Sequence, residues 1–278
     1  MLKTRVISGI FLIALIAAMN LTGGPVMCCI LFLIALQGLF EFYRAVGVYK
    51  AEEGKHSILE CLGYAGTAVY YLAAVMINEQ RLLYLMLIIC IVLVAMLAAY
   101  VFGFPKFEGV LVMKAFFGFM YVPVMLCFIF LTRSMQRGEY LVWLIYIVSW
   151  ICDTFAYLTG TMFGNRKLAP LLSPHKSVEG AIGGIVGTVI ISVLFSFLFL
   201  RVYDLKTTGN IMVFVLLGVV GGFVSQVGDL AASAFKRNHD VKDYGKIIPG
   251  HGGVLDRFDS VIFTAPMIYF LAALFFGI

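Results

Sequence analysis

Uninterrupted apolar segments dominate this sequence. The clearest runs from Leu82 to Tyr100, 19 residues without a single charged side chain. A helix needs about 20 apolar residues to cross the hydrocarbon core of a bilayer. Of the 278 residues, 62% are hydrophobic and only 13% are charged, against roughly a quarter charged in soluble domains. The sequence therefore indicates an integral membrane protein, and it excludes a soluble nucleic-acid-binding domain and a secreted disulfide scaffold.

Breaks in hydropathy divide the chain into nine predicted membrane spans. The spans are continuously apolar and do not alternate with polar residues, so they predict helices and not a β-barrel. The predicted fold class is all-α, a polytopic membrane protein with about nine transmembrane helices. The spans lie near residues 6–20, 26–43, 58–77, 82–102, 109–131, 140–163, 180–200, 211–232 and 259–277.

The basic residues predict the orientation of these spans. Cytoplasmic loops of membrane proteins carry an excess of Lys and Arg. With the N-terminus in the cytoplasm, 15 of the 20 basic residues fall on the cytoplasmic side and five fall outside. The five are Arg81, Arg133, Arg137, Arg201 and Lys206. An odd number of spans then places the C-terminus outside.

Polar residues concentrate in the C-terminal half. We therefore divide the chain into two regions. Residues 1–138 form about five membrane helices that pack together and face lipid, and residues 139–278 form the catalytic region, with about four membrane helices and cytoplasmic loops. Within the sixth span lies Asp153, and a carboxylate at that depth costs about 3 kcal/mol on insertion scales. Such a residue is usually retained to bind a ligand, although a hydrogen bond between helices is the ordinary alternative.

Two cytoplasmic segments carry most of the remaining charge. The loop from Gly164 to Gly180 holds three cations, including Lys176, followed by Ser177. These groups suit phosphate oxygens, although an ordinary basic loop at anionic lipid headgroups has the same composition. The second segment continues from the eighth span, with Ser225, Asp229, Ser233 and Lys236 on one face if the helix extends.

The second segment ends on a pair of acids. Asp256 and Asp259 are three residues apart, so a ninth helix that begins near Asp256 directs both carboxylates to one side. Acids at the start of a helix are favoured by its dipole, which is the ordinary explanation for this pair. Because Asp229 adds a third acid and five Lys or Arg accompany them within 31 residues, the cluster exceeds what capping requires.

A few hard carboxylates that are partly buried suit Mg²⁺, which shares its shell with water and substrate phosphates. Lys and Arg neutralise the remaining phosphate charge, and the run from His251 to Gly253 predicts a turn where backbone N–H groups approach an anion closely. These parts indicate a phosphoryl- or nucleotidyl-transfer site at the cytoplasmic membrane surface. The chain has no P-loop motif.

The run SAFKRNHDVKDYGKIIPGHGGVLDRFD, from Ser233 to Asp259, resembles the signature of the phosphatidate cytidylyltransferase (CDP-diacylglycerol synthase) family at every specified position over 27 residues. The segments around Asp153, Ser173–Gly180 and Gln226–Asp229 resemble the family as well. The resemblance is concentrated in the C-terminal half, because the first five spans match mainly by hydropathy.

The resemblance implies that CTP and phosphatidic acid react to give CDP-diacylglycerol and pyrophosphate. The expected cofactor is Mg²⁺, either alone or with a second metal ion. The expected partners are CTP, phosphatidic acid and membrane lipids, with no nucleic acid. The small-residue face Gly183, Gly184 and Gly187 is compatible with a homodimer. The expected location is the bacterial cytoplasmic (inner) membrane, with the protein crossing it several times. The expected catalytic residues are Asp229, Lys236, Arg237, Asp256, Arg257 and Asp259. The expected substrate- or phosphate-binding residues are Lys176, Ser177, Ser233, Lys242, His251, Gly252 and Gly253. The expected metal ligands are Asp229, Asp256 and Asp259, with Asp153 as a fourth candidate.

Three alternatives stay open from the sequence. An ion-coupled transporter or lipid flippase would use Asp153 and Asp229 as a relay within the membrane. Against it, the polar residues gather at one membrane face and form no path across. A different lipid or polyprenyl nucleotidyltransferase would share much of the chemistry. Purely structural basic loops at an anionic surface leave the carboxylates among them unexplained.

Overall fold

The computed structural model describes residues 2–49, 57–203, 207–250 and 252–276. Its helices are α1 (Leu2–Thr22), α2 (Gly24–Val46), α3 (Ile58–Met76), α4 (Arg81–Phe102), α5 (Gly109–Phe119), α6 (Met125–Arg133), α7 (Gly138–Phe163), α8 (Val178–Val202), α9 (Thr207–Asn238) and α10 (Leu255–Phe276). A π-helical segment, Met120–Val124, joins α5 to α6, and the strands β1 (Lys167–Ala169) and β2 (Ser173–Ser177) lie between α7 and α8.

The helices confirm the predicted all-α polytopic membrane protein. Among the described residues, eight helical segments are long and apolar enough to cross a membrane, with α5 and α6 forming one of them, Gly109–Arg133. The first helix adds a shorter apolar stretch, Ile7–Thr22. Large apolar side chains on α4 are exposed, among them Leu83, Val94 and Phe102. Since such a surface is unfavourable in water, it is suited to contact with lipid.

The chain divides into two compact units. Unit 1 comprises Met1–Leu131 and Asn238–Arg257, and unit 2 comprises Thr132–Arg237 and Phe258–Ile278. The prediction from sequence divided the chain once, after residue 138, by where polar residues gather. The structural division also falls near that point, but it assigns the polar segment 238–257 to the same unit as the N-terminal helices. Whether the two regions differ in function as expected stays a prediction.

Unit 1 is built around buried aromatic residues of α2, α3 and α5. Tyr43 of α2 donates a hydrogen bond to the Ala115 carbonyl oxygen at 2.7 Å, which satisfies its hydroxyl in the apolar interior. Its neighbour Phe42 is also buried. In the π-helical segment, Pro123 has no N–H to donate, and its carbonyl oxygen accepts a hydrogen bond from the Tyr71 hydroxyl at 3.1 Å. Aromatic packing and these polar contacts hold the helices of this unit together.

In unit 2, α7 and α8 pack closely because α8 presents glycines to α7. A Cβ atom at Gly184 would lie 2.9 Å from the carbonyl oxygen of Cys152 and 3.0 Å from its sulfur. Gly187 faces the ring of Phe155 in the same way. Small residues allow this close approach of membrane helices. The glycine face that made a homodimer plausible is therefore occupied by α7 of the same chain.

A two-stranded antiparallel hairpin leads into α8. In its register Lys167 pairs with Ser177 and Ala169 pairs with Ser173. The sequence predicted a basic loop here, and a hairpin of three- and five-residue strands is too short to produce a clear periodic pattern. Because β2 ends where α8 begins, the hairpin determines where Lys176 and Ser177 lie relative to the first turn of that helix.

Candidate functional site

Unit 2 contains a cavity of about 450 Å³. Its walls come from the C-terminal half of α7, the hairpin, the first turns of α8 and the middle of α9. The residues that line it are Asp153, Ala156, Tyr157, Gly160, Thr161, Leu168, Ser173, His175, Lys176, Ser177, Gly180, Ala181, Gln226 and Asp229. Four of the predicted site residues, Asp153, Lys176, Ser177 and Asp229, thus share one cavity.

An ion pair lies at the wall of this cavity. The Lys176 ammonium, on β2, contacts the Asp229 carboxylate, on α9. The two side chains are 27% and 26% exposed, so the pair is reached by solvent from the cavity. On the wall of a cavity, a carboxylate can bind a metal ion and an ammonium can bind phosphate oxygens.

The first turn of α8 holds the hairpin in place. The Ser177 hydroxyl caps the helix by accepting the Gly180 N–H at 3.1 Å. The Glu179 carboxylate accepts the backbone N–H groups of Asn165 at 3.1 Å and of Arg166 at 3.2 Å. The segment before the hairpin, at Asn165 and Arg166, and the end of the hairpin at Ser177 are therefore both bound to the first turn of α8. These contacts position Lys176.

Gln226 fixes α9 against its neighbours one turn before Asp229. Its side-chain N–H₂ donates to the Ala181 carbonyl oxygen at 2.9 Å and contacts the Cys152 sulfur at 3.4 Å. Both partners lie on the helices that line the cavity. Since Gln226 is largely buried, these contacts define the rotation of α9 and hence the direction of the Asp229 carboxylate.

Asp259, on α10, belongs to the same charged cluster of unit 2. Its carboxylate interacts electrostatically with that of Asp229 and with the ammonium of Lys236. Asp153 contributes more weakly to the same field. One Asp259 oxygen accepts the Ser260 N–H at 2.8 Å. Carboxylates close enough to repel each other are stable together when cations lie nearby or when one of them is protonated.

The donor set of this cluster fits magnesium. Within the part of the chain that the structure describes, no group of three or more His, Cys, Asp or Glu side chains forms a complete metal cage. Magnesium does not require one, because it keeps several waters and uses one or two carboxylates together with substrate phosphates. Asp229 and Asp259 supply two such carboxylates, with Asp153 on the cavity wall.

Unit 1 contains a second, basic cavity of about 550 Å³. It lies within the segment that carries the predicted anion-binding turn. The residues that line it are Lys242, Asp243, Gly245, Lys246, Ile248, Gly250, Gly252 and Arg257. The Arg257 Nε is buried and has no hydrogen-bond partner among the described residues. Three cations against one acid make this cavity suited to an anion.

Glycine is required in the turn that borders the basic cavity. Gly250 and Gly252 have φ angles of 78° and 86°, which other residues adopt only with strain. The Ile248 N–H donates to the Gly252 carbonyl oxygen at 2.9 Å and closes the turn. The predicted turn is therefore present around Gly252 and Gly253, while His251 lies outside the described residues.

Asp256 and Glu41 hold this turn from two sides. One Asp256 oxygen accepts the N–H groups of Tyr244 and Gly253, each at 2.9 Å. Glu41 of α2 accepts the N–H groups of Val254 at 3.0 Å and Leu255 at 2.9 Å. Asp256 thus has a structural role in unit 1, and its predicted role as a metal ligand stays a prediction.

The sequence assigned no role to Glu41. Arg44 was counted only among the basic residues that predict the orientation of the membrane spans. Arg44 donates to the Tyr244 carbonyl oxygen at 2.6 Å, so α2 contacts both ends of the segment that Tyr244 begins. The available signal was an acid and a base one turn apart at the end of an otherwise apolar helix. That signal does not identify partners about 200 residues away along the chain.

A model of the cytidylyltransferase family matches residues 3–275. The chain belongs to the cytidylyltransferase family. A phosphatidate cytidylyltransferase of Staphylococcus aureus (strain COL) is 39% identical to it over 153 residues. Proteins of the same name from Bacillus subtilis (strain 168) and Staphylococcus haemolyticus (strain JCSC1435) are 38% identical over 153 residues and 34% identical over 151 residues. Each alignment covers 54% of this chain and 55% of the relative, so the match spans about half the length of these relatives.

The remaining predicted residues, Ser233, Lys236 and Arg237, lie on the last turns of α9. Ser233 and Lys236 are partly buried, and Arg237 is exposed. Lys236 interacts with the Asp259 carboxylate. Neither Ser233 nor Arg237 is among the described residues that line the two cavities, so their predicted contacts with substrate stay predictions.

Proposed function

We propose that this chain transfers the cytidylyl group of CTP to phosphatidic acid, giving CDP-diacylglycerol and pyrophosphate. The observation that carries the proposal is the Lys176–Asp229 pair on the wall of a cavity in unit 2, in a chain whose family is that of cytidylyltransferases. The relatives are phosphatidate cytidylyltransferases by name, which supports phosphatidic acid as the acceptor.

The reaction requires no nucleophile from the protein. An oxygen of the phosphatidic acid phosphate forms a new bond to the α-phosphorus of CTP. The bond from that phosphorus to the bridging oxygen of the β-phosphate breaks, and pyrophosphate leaves with the electron pair. Because the phosphate monoester is itself a competent nucleophile, catalysis depends on in-line positioning and on stabilising charge.

The residues of unit 2 supply carboxylates and the Lys176 ammonium. Asp229 and Asp259 would hold Mg²⁺, with Asp153 as a further candidate, and the ion would neutralise charge on the phosphate oxygens. Lys176 would bind a phosphate oxygen, since its ammonium is already directed into the cavity by the hairpin. Ser177 keeps that hairpin seated on α8.

The residues of unit 1 supply a basic turn suited to phosphate. Lys242 and Arg257 line its cavity and are proposed to contact phosphate groups. Gly252 and Gly253, with His251, are proposed to bring backbone N–H groups close to the anion. Lys242 and Lys246 are exposed, so ordinary solvation of the loop is the alternative for these two.

The excess of basic residues in alternate loops places the site on the cytoplasmic side in this proposal. Nucleotides are available there, and the lipid substrate lies in the adjoining leaflet. The bacterial relatives support a bacterial cytoplasmic membrane. The N-terminus would then be cytoplasmic.

The test uses purified protein in mixed micelles of detergent and phosphatidic acid with radiolabelled CTP. We expect label in the lipid extract when Mg²⁺ is present and none when it is chelated. Asp259→Asn should reduce the labelled lipid at least a hundredfold while the protein is still inserted and folded. Asp240→Asn is the matched control, because Asp240 is exposed with φ 53°, a conformation that asparagine tolerates.

Two results would contradict this proposal. Folded wild-type protein that makes no labelled lipid under conditions where a known enzyme does so would refute the reaction. Full activity of Asp259→Asn would refute the role of that carboxylate. Product formation in micelles, where no gradient exists, also separates an enzyme from an ion-coupled transporter.

A further inference from the structure

Glu41 is a buried carboxylate to which neither the signature segment nor the proposed reaction assigns a role. It lies near the C-terminal end of α2 and is 1% exposed. Its two oxygens accept hydrogen bonds from the N–H groups of Val254 and Leu255, and Gln37 donates to it at 3.1 Å. A carboxylate is retained in such a place only when donors compensate its desolvation.

The donors that Glu41 accepts lie at the beginning of α10. Leu255 is the first residue of that helix and Val254 precedes it. The first N–H groups of a helix have no carbonyl partner within the helix, and the helix dipole favours a negative charge at this end. Glu41 therefore caps α10 from a different helix, 214 residues earlier in the chain than Leu255.

Two glycines fit around the Glu41 carboxyl group. A Cβ atom on Gly245 or on Gly253 would overlap a Glu41 oxygen. Gly245 also lines the basic cavity of unit 1, so Glu41 lies directly behind one wall of that cavity. Arg257, two residues beyond Leu255, lines the same cavity. Glu41 does not itself line the cavity, but it adjoins Gly245 and the start of the helix that carries Arg257, so it helps to fix two of the cavity walls.

We propose that Glu41 is a positioning residue that holds the turn before α10 in its anion-binding conformation. Its carboxylate fixes the start of α10, and with it the Arg257 guanidinium, and supports the wall at Gly245. The proposal rests on the proposed function in one respect, namely that the anion is a phosphate group of CTP or of the product pyrophosphate. The mechanical part, the restraint of residues 244–255, is independent of the substrate.

Glu41→Gln is the informative substitution because it preserves shape and removes charge. An amide has one acceptor oxygen and one N–H₂ group, so one of the two backbone donors would face another donor. A buried N–H group without an acceptor destabilises the local structure, so the segment that carries it opens more readily. We expect hydrogen exchange of the amides of residues 244–255 to become at least tenfold faster, and kcat/KM for CTP to fall by roughly ten- to hundredfold, mainly through a higher KM.

Three measurements on the full-length protein in detergent test the proposal together. They are hydrogen–deuterium exchange of residues 244–255, the dissociation constant for CTP measured calorimetrically, and the steady-state kcat and KM. The matched control is Glu60→Gln, since Glu60 is also buried and accepts a hydrogen bond from the Tyr64 hydroxyl at 2.9 Å. This control should leave exchange in residues 244–255 and the KM for CTP unchanged.

The outcomes are distinct. Faster exchange confined to residues 244–255 with weaker CTP binding supports the positioning role. Unchanged exchange in folded Glu41→Gln overturns it, and faster exchange with unchanged binding and kinetics reduces Glu41 to a structural residue, which also overturns it. If the wild type makes no CDP-diacylglycerol, the proposed function fails while exchange and CTP binding still decide the role of Glu41.

A milder variant covers the case in which Glu41→Gln does not fold. Gln37→Leu removes one donor to the Glu41 carboxylate and leaves the Val254 and Leu255 contacts in place. For Gln37→Leu we expect smaller effects of the same kind, namely a two- to fivefold rise in the exchange rate of residues 244–255 and in the KM for CTP. No change in either quantity would contradict the proposal.

Discussion

Replacing Lys176 by methionine tests whether its ion pair with Asp229 contributes to stability or to catalysis. Methionine keeps most of the length of the side chain and removes the charge. Lys176 and its partner Asp229 are each about one quarter exposed, so the pair resembles a surface ion pair more than a buried one. Such pairs contribute about 0–1 kcal/mol to stability. The loss of folding free energy should therefore be about 1 kcal/mol at most.

The expected effect on the reaction is larger. If the Lys176 ammonium stabilises charge on the transferred phosphate, its removal should cost about 3–4 kcal/mol of transition-state stabilisation. That corresponds to a fall in kcat/KM of about 100- to 1000-fold. The activity is measured as CDP-diacylglycerol formed from CTP and phosphatidic acid, and the folded fraction is measured by thermal unfolding of the same preparation.

Lys167→Met is the matched control for this experiment. Lys167 lies on the other strand of the same hairpin, is exposed and is not among the cavity-lining residues. It should retain activity within about threefold of wild type. The reasoning would be refuted if Lys176→Met stayed within threefold of wild type, or if its loss of activity were matched by an equal loss of folded protein.

Two further predictions concern the structure that supports the cavity. Gly184→Leu should destabilise the protein by about 1–3 kcal/mol and lower its thermal midpoint, because the leucine side chain would enter the space taken by Cys152. The control Gly9→Leu, which has open space around it, should leave the midpoint unchanged. Equal midpoints for the two variants would disprove the packing argument. Glu179→Gln should weaken the restraint on the backbone at Arg166, so trypsin cleavage after Arg166 should become about fivefold faster. An unchanged cleavage rate would show that Glu179 does not restrain this segment.

The membrane helices were predictable because lipid imposes a length and a composition on every span. The predicted span 180–200 corresponds to Val178–Val202, and 140–163 to Gly138–Phe163. Helix α9 runs from Thr207 to Asn238 and so extends beyond the predicted span 211–232, whereas its membrane-length apolar segment begins at Ile211, as predicted. Its polar last turns leave the apolar pattern but stay helical, which confirms that Asp229 and Lys236 share one continuous helix.

The contacts that organise the polar residues were not predictable in the same way. The cluster of Asp229 and Lys176 joins residues 53 positions apart, and hydropathy carries no information about such pairs. The role of Glu41 depends on partners more than 200 residues away. The signature segment predicted the family, which the family match confirms, while the attachment of that segment to α2 depends on how the helices of unit 1 pack.

The central claim is that the α-phosphorus of CTP is transferred to the lipid, and two labels test it most directly. Purified protein would be given phosphatidic acid, Mg²⁺ and CTP labelled with radioactive phosphorus at either the α- or the γ-position. The account predicts that the α-label enters the lipid extract and that the γ-label stays in the aqueous phase as pyrophosphate, in equal amounts. Transfer of the γ-label to lipid would identify a kinase, and no transfer of either label by folded protein would contradict the account.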